Sequence, residues 1–282
     1  MVVSKNAWFR RIAAVRSRPV LVRHAAPFGR WQGPDLSIAV LSDLHVAAPF
    51  TSLALIRRIG HAVTAMAPDM IVLAGDFLAD GVMAGRHATA RQIVDALDVL
   101  QAPLGVFAIL GNHDWQDCPI ARASRYQENS VAQAFHGHRI RLLRNQGVQL
   151  AHKGHDFNVV GFDSQRPVPK DWSVGLHRPE TAFADIAPEK PTILLAHEPD
   201  YFAQNDDRAT VQISGHTHGG QLNLMGWRPV VPSQFGARYV HGHIRDKGRD
   251  LFVSGGLGFS GVPLRIGQPP EITWIRLHSS KR

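Results

Sequence analysis

The chain has 282 residues, of which 44% are hydrophobic, so it can bury the core of one large domain or of two small ones. Its formal net charge is +8, but residues 1–34 carry seven basic residues and no acidic one, which leaves the remainder nearly neutral. This distribution disfavours a nucleic-acid-binding protein, because such proteins spread basic residues over a binding face.

Residues 1–34 form a basic leader ahead of the predicted domain. Trp8, Ile12 and Val15 share one face of a notional helix, so the leader either contacts an anionic membrane surface or is a disordered tail. The pair Arg10-Arg11 is typical of a twin-arginine export signal, but further arginines interrupt the apolar stretch that such a signal needs. We therefore reject export by this route.

Cysteine content and hydropathy limit the compartment further. Cys118 is the single cysteine, which excludes an internal disulfide and favours a reduced cytosolic compartment. No run approaches the ~20 apolar residues of a membrane span. We therefore expect a cytoplasmic protein, and peripheral contact with the cytoplasmic membrane face stays open through the leader.

Strand-like and helical patterns alternate through the first half of the domain, which we expect to span residues 35–279. Buried strands are predicted at 36–41, 70–74 and 104–110, and helices at 52–66 and 88–101. Such alternation favours parallel strand pairing and α/β packing.

The second half is richer in predicted strands. They lie at 140–143, 148–151, 157–162, 192–196, 211–214, 239–244, 250–254 and 271–277. Two stacked sheets flanked by helices accommodate this order, so we predict an α/β fold built on a two-sheet β-sandwich.

Five short motifs each follow a predicted strand. They are Asp43-Leu44-His45, Gly75-Asp76, Gly111-Asn112-His113-Asp114, His197 and Gly215-His216-Thr217-His218. Since ligands bind outside the carboxyl ends of strands in open α/β sheets, we expect one site at this edge. The motifs supply carboxylates, an amide and imidazoles, which is the ligand set of two neighbouring divalent metals.

Several of these residues suit particular roles in such a site. The two oxygens of Asp76 can bridge two cations. Asn112 offers a neutral amide oxygen, which leaves a metal more Lewis acidic than a carboxylate does. His113 can stand near the substrate as a proton donor, and Asp114 can hold and charge that imidazole.

The last motif is the most specific one. His216 and His218 alternate, so each ring can reach a different cation of a pair ~3.5–4 Å apart. Taken singly, most of the other motifs fit a turn or a structural histidine equally well. Order, placement and ligand count together favour one dinuclear site.

The ordered motifs resemble those of the calcineurin-like metallophosphoesterases over roughly residues 35–279. The resemblance implies a two-sheet sandwich flanked by helices, with a dinuclear centre at the sheet edge. It assigns the first metal to Asp43, His45 and His218, the second to Asn112, His197 and His216, and the bridging position to Asp76. His113 matches the family's catalytic histidine and Asp114 its orienting partner.

This resemblance implies a metal-dependent phosphoester hydrolase. Two divalent cations, of manganese, iron or zinc, hold a bridging hydroxide that attacks phosphorus in line, while His113 stabilises or protonates the leaving oxygen. With two carboxylates and the hydroxide, the centre carries a net charge of about +1, which suits an anionic phosphoryl group.

Three segments narrow the resemblance. Residues 196–200, 214–221 and 253–258 are similar to a bacterial branch that includes membrane-associated phosphodiesterases, some of them resembling UDP-2,3-diacylglucosamine hydrolases of lipid A synthesis. A phosphodiester or pyrophosphate in a glycolipid of that type is the substrate we expect. A general phosphodiesterase, a nuclease on the same scaffold and a non-catalytic metal-binding protein are the alternatives.

A lipid substrate requires apolar surface beside the metals. Leu222, Leu224, Met225 and Trp227 follow the last histidine motif and either provide that surface or belong to the core.

Overall fold

Two six-stranded sheets form the framework of the protein. The computed structural model describes residues 18–169, 171 and 173–279. Its strands are β1 (Val20–Pro27), β2 (Leu36–Leu41), β3 (Ala47–Ala48), β4 (Met70–Leu73), β5 (Arg86–His87), β6 (Val106–Ala108), β7 (Arg141–Leu142), β8 (Gln146–His152), β9 (His155–Gly161), β10 (Thr192–Leu195), β11 (Val211–Ser214), β12 (Gly242–Asp246), β13 (Arg249–Val253) and β14 (Glu271–His278).

Helices pack on the outer face of the first sheet and also lie in the connections between strands. The α-helices are α1 (Leu53–Ala65), α2 (Ala90–Leu97), α3 (Asn112–Gln116), α4 (Pro119–Ala123), α5 (Ser130–Phe135) and α6 (Pro179–Phe183). Short 3₁₀ helices span Pro199–Gln204, His218–Gly220 and Gly236–Tyr239. The start of α2 is fixed by a capping box, in which Thr89 and Gln92 each bond the other's backbone N–H.

The strand order places the site-bearing strands side by side. The first sheet runs β1-β14-β2-β4-β6-β7, and β2, β4, β6 and β7 are parallel neighbours. The second sheet runs β12-β13-β11-β10-β9-β8, with β9, β10, β11 and β13 parallel. The carboxyl ends of the central strands therefore lie along one edge of each sheet.

Alternating side chains of the strands divide the core into layers. In β2, Ile38 and Val40 pack between the two sheets, where they share a cluster with Phe157 and Ile193 of the second sheet. Ala39 and the other outward residues of β2 pack against α1 and α2 instead. This two-sided burial is what makes the central strands continuously apolar in sequence.

The predicted fold class is confirmed: an α/β protein with two stacked sheets and flanking helices. One element differs from expectation. Residues 20–27, assigned to the basic leader, form β1 and pair in parallel with β14 along their whole length. Phe28 and Trp31, which follow β1, are buried. The folded part of the chain therefore includes residues before Asp35. As an edge strand with an exposed side, β1 can contain arginine.

The helix suggested for Trp8, Ile12 and Val15 lies outside the described residues. Within the described ranges, no helix is both long and apolar enough to cross a lipid bilayer.

Candidate metal centre

All five motifs lie at the carboxyl ends of parallel strands, as the sequence predicts. The first three follow β2, β4 and β6 of one sheet, and the last two follow β10 and β11 of the other. Because the sheets are stacked, the motifs meet where the two edges face each other. Every proposed metal-binding side chain is buried there.

Backbone conformation at the centre is unusual. Five of these residues have positive φ: Asp43 (52°), His45 (40°), Asp76 (58°), His216 (73°) and His218 (52°). A non-glycine residue in this region costs about 1–3 kcal/mol and persists where the surroundings enforce it. Asp43 and His45 thus converge through two left-handed residues at the end of β2.

Two triads of potential ligands result from this arrangement. Asp43, His45 and His218 form one, and Asp76, His197 and His216 form the other; within each triad the ligand atoms lie within 4.8 Å of one another. The paired histidines of the last motif therefore belong to different triads. The resemblance implies the same division of the histidines, with Asn112 in the second set and Asp76 between the two, and that assignment stays a prediction.

Asp76 lies between the triads. Its Oδ2 is 3.1 Å from Nε2 of His197 and 3.5 Å from Nε2 of His45, one member of each group. Its Oδ1 accepts a hydrogen bond from the backbone N–H of His113 at 2.8 Å, which fixes the carboxylate plane. A single carboxylate oxygen thus faces both triads, as a bridging ligand must.

Backbone carbonyls orient two of the imidazoles. Nδ1 of His45 donates to the carbonyl oxygen of Leu78 at 3.0 Å, and Nδ1 of His197 donates to that of Ala74 at 2.6 Å. Each bond leaves Nε2 facing the centre as an acceptor. Such partners fix the tautomer and rotation of metal-binding histidines.

Asn112 joins the second triad through its side chain. Its Oδ1 lies 2.7 Å from Nδ1 of His216, close enough for both atoms to face a common cation. Asn112 opens α3, and its burial holds the amide at this position.

The donor set fits divalent cations. Oδ2 of Asp43 and Oδ2 of Asp76 are buried and have no hydrogen-bond partner among the described residues, which is costly unless a cation takes that place. Burial raises the pKa of Asp43 to about 6 and lowers the pKa of His45 to about 4. His45 is therefore a neutral imidazole at pH 7, and mixed N and O donors suit manganese, iron or zinc.

When no metal is bound, protonated His197 and ionised Asp76 form an ion pair. Burial opposes the charged imidazole, but the Asp76 carboxylate outweighs it and raises the pKa of His197. Burial also acts against Asp76, yet the surrounding histidines hold the pKa of that carboxyl well below its ordinary value. In the metal-free protein, the positive charge of His197 thus compensates the negative charge of Asp76, as bound cations would.

His113 stands beside the triads and its ring is held by Asp117. Nδ1 of His113 donates to Oδ2 of Asp117 at 2.6 Å, one helical turn further on. Burial opposes protonation, but Asp76 and the bond to Asp117 raise the pKa of His113 to about 9. Without cations at Asp76 the ring is therefore an imidazolium at neutral pH, and it lies at the wall of the site, where it can donate a proton.

Asp114 makes different contacts from the orienting role expected of it. Its carboxylate accepts hydrogen bonds from four backbone N–H groups, those of Asp76, Phe77, Leu78 and Gly111, at 2.8–3.0 Å. It therefore ties two of the motif loops together, whereas the carboxylate at His113 is Asp117. The i, i+4 spacing from His113 is the sequence signal that could have indicated Asp117.

Two glycines permit the close approach of the loops. A Cβ on Gly111 would overlap Oδ1 and the backbone nitrogen of Asp76, and a Cβ on Gly215 would lie 2.6 Å from Oδ2 of Asp43. The motif glycines therefore keep space free around the two central carboxylates.

A cavity of about 460 Å³ opens above this centre. Asn112, His113, His216 and Arg166 line its polar end. The other walls include apolar residues, namely Leu222, Pro229, Val230, Pro232 and Val262. Sequence reasoning did not single out Arg166, whose loop is fixed by hydrogen bonds to Ser164 and Gln116.

Arg265 is a second basic residue that sequence reasoning missed. It is fully buried, and its guanidinium donates to Nδ1 of His218 at 3.1 Å and to the carbonyl oxygens of Gly255 and Gly258. It therefore fixes the His218 ring from the side away from the cavity.

Comparison with known proteins gives a consistent result. Residues 36–220 match the family model described as calcineurin-like phosphoesterase. The chain is 30% identical over 246 residues to the uncharacterised metallophosphoesterase YkuE of Bacillus subtilis, covering 86% of this chain and 79% of that protein.

Two further relatives carry more specific names. The UDP-2,3-diacylglucosamine pyrophosphatase LpxG of Chlamydia muridarum is 30% identical over 288 residues, covering 86% of this chain and 83% of LpxG. The phosphodiesterase YaeI of Escherichia coli is 28% identical over 262 residues, covering 91% of this chain and 87% of YaeI.

Proposed function

This chain belongs to the calcineurin-like phosphoesterase family and is a metal-dependent hydrolase of phosphoric esters, and from that premise we propose the class of its substrate. The substrate is a phosphodiester or pyrophosphate that joins a nucleotide to an acylated sugar, of the UDP-2,3-diacylglucosamine type. We propose lipid A synthesis as the pathway in which such a substrate is hydrolysed.

The cavity is the observation that carries the proposal. Its polar end holds the metal-binding residues, and its remaining walls are partly apolar. A substrate for this space combines a phosphoryl group with an apolar part, since pockets recognise ligands by a few polar contacts and a larger apolar surface. The relative LpxG, named a UDP-2,3-diacylglucosamine pyrophosphatase, supports the same class of substrate.

The seven candidate ligands have distinct positions in this proposal. Asp43, His45 and His218 would hold one cation, Asn112, His197 and His216 would hold the other, and Asp76 faces both groups. When bound, two divalent cations supply Lewis acidity and make hydroxide available near neutral pH.

The remaining polar groups act on the substrate. His113 lines the cavity, where its imidazolium donates a proton to the leaving oxygen while Asp117 holds the ring. Arg166 lines the same end, so its guanidinium binds a second phosphate oxygen of a diester or pyrophosphate.

A substrate panel tests the proposal. Purified protein is stripped of metal, reloaded with manganese and assayed on bis-p-nitrophenyl phosphate, p-nitrophenyl phosphate, a UDP-sugar and UDP-diacylglucosamine. We expect turnover of the diester and a higher kcat/KM for the acylated nucleotide than for the UDP-sugar, with UMP released.

The panel also separates the alternatives. Equal kcat/KM for both UDP compounds contradicts the lipid-linked substrate and favours a general phosphodiesterase. If the protein hydrolyses none of these substrates with any added divalent metal, the assignment as a phosphoester hydrolase is wrong. Asp76→Ala is the matched control, because it removes the carboxylate that faces both triads and should abolish metal binding together with turnover.

The basic leader completes the proposal for the whole chain. The basic residues of positions 1–17, Lys5, Arg10, Arg11 and Arg16, would bind an anionic membrane surface on the cytoplasmic side, where a lipid-linked substrate resides. Residues 1–17 lie outside the described part of the structure, so this contact rests on sequence alone.

A further inference from the structure

Exposed apolar side chains of the described residues concentrate around the mouth of the cavity. Ten large apolar side chains are exposed among the described residues. Two of them, Val230 and Val262, line the cavity, and four more lie in the same loops or in the loop that is hydrogen-bonded to them. We call these six residues the apolar rim: Val82, Leu224, Met225, Trp227, Val230 and Val262. Patches of this kind on a soluble domain mark an interaction surface.

Hydrogen bonds join the three loops into one structure. The side chain of Gln221 donates to the carbonyl oxygens of Ser260 and Val262 and accepts from the backbone N–H of Ser260. Asp80, two residues before Val82, accepts from Ser260 Oγ and from the next backbone N–H, each at 2.9 Å. These hydrogen bonds therefore fix the positions of the three rim loops relative to one another.

A tight turn presents the most exposed part of the rim. Leu224 and Trp227 exchange two backbone hydrogen bonds, of 2.9 and 3.1 Å, across Met225 and Gly226. Both central residues have positive φ, 55° and 101°, which defines a type I′ turn. Met225 is 97% exposed and Trp227 64% exposed.

This turn is costly for an isolated protein. Residues such as asparagine and glycine suit the left-handed first position, whereas a methionine there is strained and leaves its apolar side chain in water. Contact with an apolar phase removes the second cost. Methionine and tryptophan side chains are suited to such contact, and tryptophan prefers the membrane interface.

The charge around the rim favours an anionic surface. Segments 219–240 and 251–270 contain three arginines and no aspartate or glutamate. One of the three, Arg265, is buried, and Arg238 pairs with Asp246 at 3.0 Å. Arg228 is therefore the arginine of these segments whose charge is not balanced by an acidic partner among the described residues, and it can face headgroups. The acidic Asp80 is bonded inward to the neighbouring loop.

We propose that the apolar rim docks on the surface of an anionic lipid bilayer, with Met225 and Trp227 inserted among the headgroups and the cavity mouth turned toward the lipid. This contact is separate from any contact of the basic leader. This proposal rests on the proposed function. With the cavity mouth against the bilayer, a lipid-linked substrate can enter the cavity directly from the membrane.

Vesicle binding of the full chain tests the proposal. The double variant Met225→Ser/Trp227→Ser is compared with wild type on phosphatidylglycerol-containing vesicles, at high salt to screen the leader. We expect the partition coefficient to fall about tenfold or more, and turnover of soluble bis-p-nitrophenyl phosphate to stay unchanged. The matched control is Ile120→Ser/Val174→Ser, which removes two exposed apolar side chains outside the rim and should bind as wild type does.

Tryptophan quenching adds a readout of insertion. Vesicles with brominated acyl chains should quench part of the wild-type fluorescence, and Trp227→Phe should lose that part. Equal vesicle binding by wild type and the rim variant, equal quenching in Trp227→Phe, or no vesicle binding at all overturns the proposal.

Self-association is the competing use of such a surface. A wild-type dimer that the rim variant converts to monomer, without any change in vesicle binding, overturns the proposal in favour of an interface between two copies. The substrate proposal fails separately: vesicle binding through the rim with no turnover of UDP-diacylglucosamine removes the substrate and leaves the docking surface.

Discussion

At the scale of single residues, two carboxylates near His113 have separate tasks. Asp117 contacts the imidazole and raises its pKa, whereas Asp114 accepts four backbone N–H groups and holds two loops together. Loss of Asp117 should therefore affect the chemical step, and loss of Asp114 should affect folding.

We expect Asp117→Asn to lower kcat by about 10- to 100-fold with little change in KM, because the His113 ring loses the carboxylate that charges and orients it. Asparagine keeps an oxygen that can accept from the backbone N–H of Gly81, so the loop stays in place. Steady-state kinetics on bis-p-nitrophenyl phosphate and metal analysis of the same sample make the measurement.

Asp114→Asn is the matched control. It should lower the free energy of unfolding by about 1–3 kcal/mol, since buried N–H groups lose acceptors. A wild-type kcat in Asp117→Asn, or a reduced metal content in that variant, would contradict the assigned role of Asp117.

At the scale of elements, the sequence predicts the central strands well. The strand predicted at 36–41 is observed as β2 with the same bounds, and 70–74 and 192–196 each end one residue earlier. These strands are buried on both faces, so their sequences are mostly apolar runs, unlike the amphipathic sequences of the described helices α1 and α2. The candidate ligands could therefore be predicted from the sequence, because each of their motifs follows one of these apolar runs.

Other elements depend on distant contacts. β1 contains Arg23 and His24 and acquires its structure from β14, about 250 residues later in the chain. The choice between Asp114 and Asp117 also needed coordinates, because both lie in or next to one short helix. Positive φ at Asp43 and His216 reflects enforcement by the assembled loops, which no local pattern encodes.

Glu271, at the start of β14, gives a pH-dependent prediction for this element. The side chain is buried, and it accepts hydrogen bonds from His241 and Thr273 at 2.7 Å each. Burial alone raises its pKa, but these bonds outweigh burial and place the pKa below the ordinary 4.5. The carboxylate therefore stabilises the fold fully above pH 4.5, and this contribution is lost as the pH falls through the lower folded-state value.

We expect Glu271→Gln to be less stable than wild type by about 1–3 kcal/mol at pH 7, with the difference shrinking as the pH falls below 4.5. Urea unfolding of both proteins over a pH series measures the difference. A gap that stays constant, or widens, on acidification would show that the charge of Glu271 does not stabilise β14.

At the scale of the whole molecule, the candidate metal centre joins the two sheets. Asp43 and His45 follow a strand of the first sheet, and His218 in the same triad follows a strand of the second. Asp76 and His197 pair across the sheets in the same way. Cations bound there would cross-link the two halves of the sandwich, and their binding would contribute to the free energy of folding.

Removal of metal should lower the thermal midpoint of the protein without abolishing the fold. A proton on His197 compensates Asp76 in the metal-free state, which allows that state to persist. A ligand present at about 100 times its Kd adds about 2.7 kcal/mol per site. For two sites in a domain of this size, that corresponds to a Tm shift of roughly 10–20 °C. Calorimetry with manganese, with chelator and after manganese is restored measures the shift. Asp76→Asn should show little response to chelator, and an equal response in that variant would place the stabilising cations elsewhere.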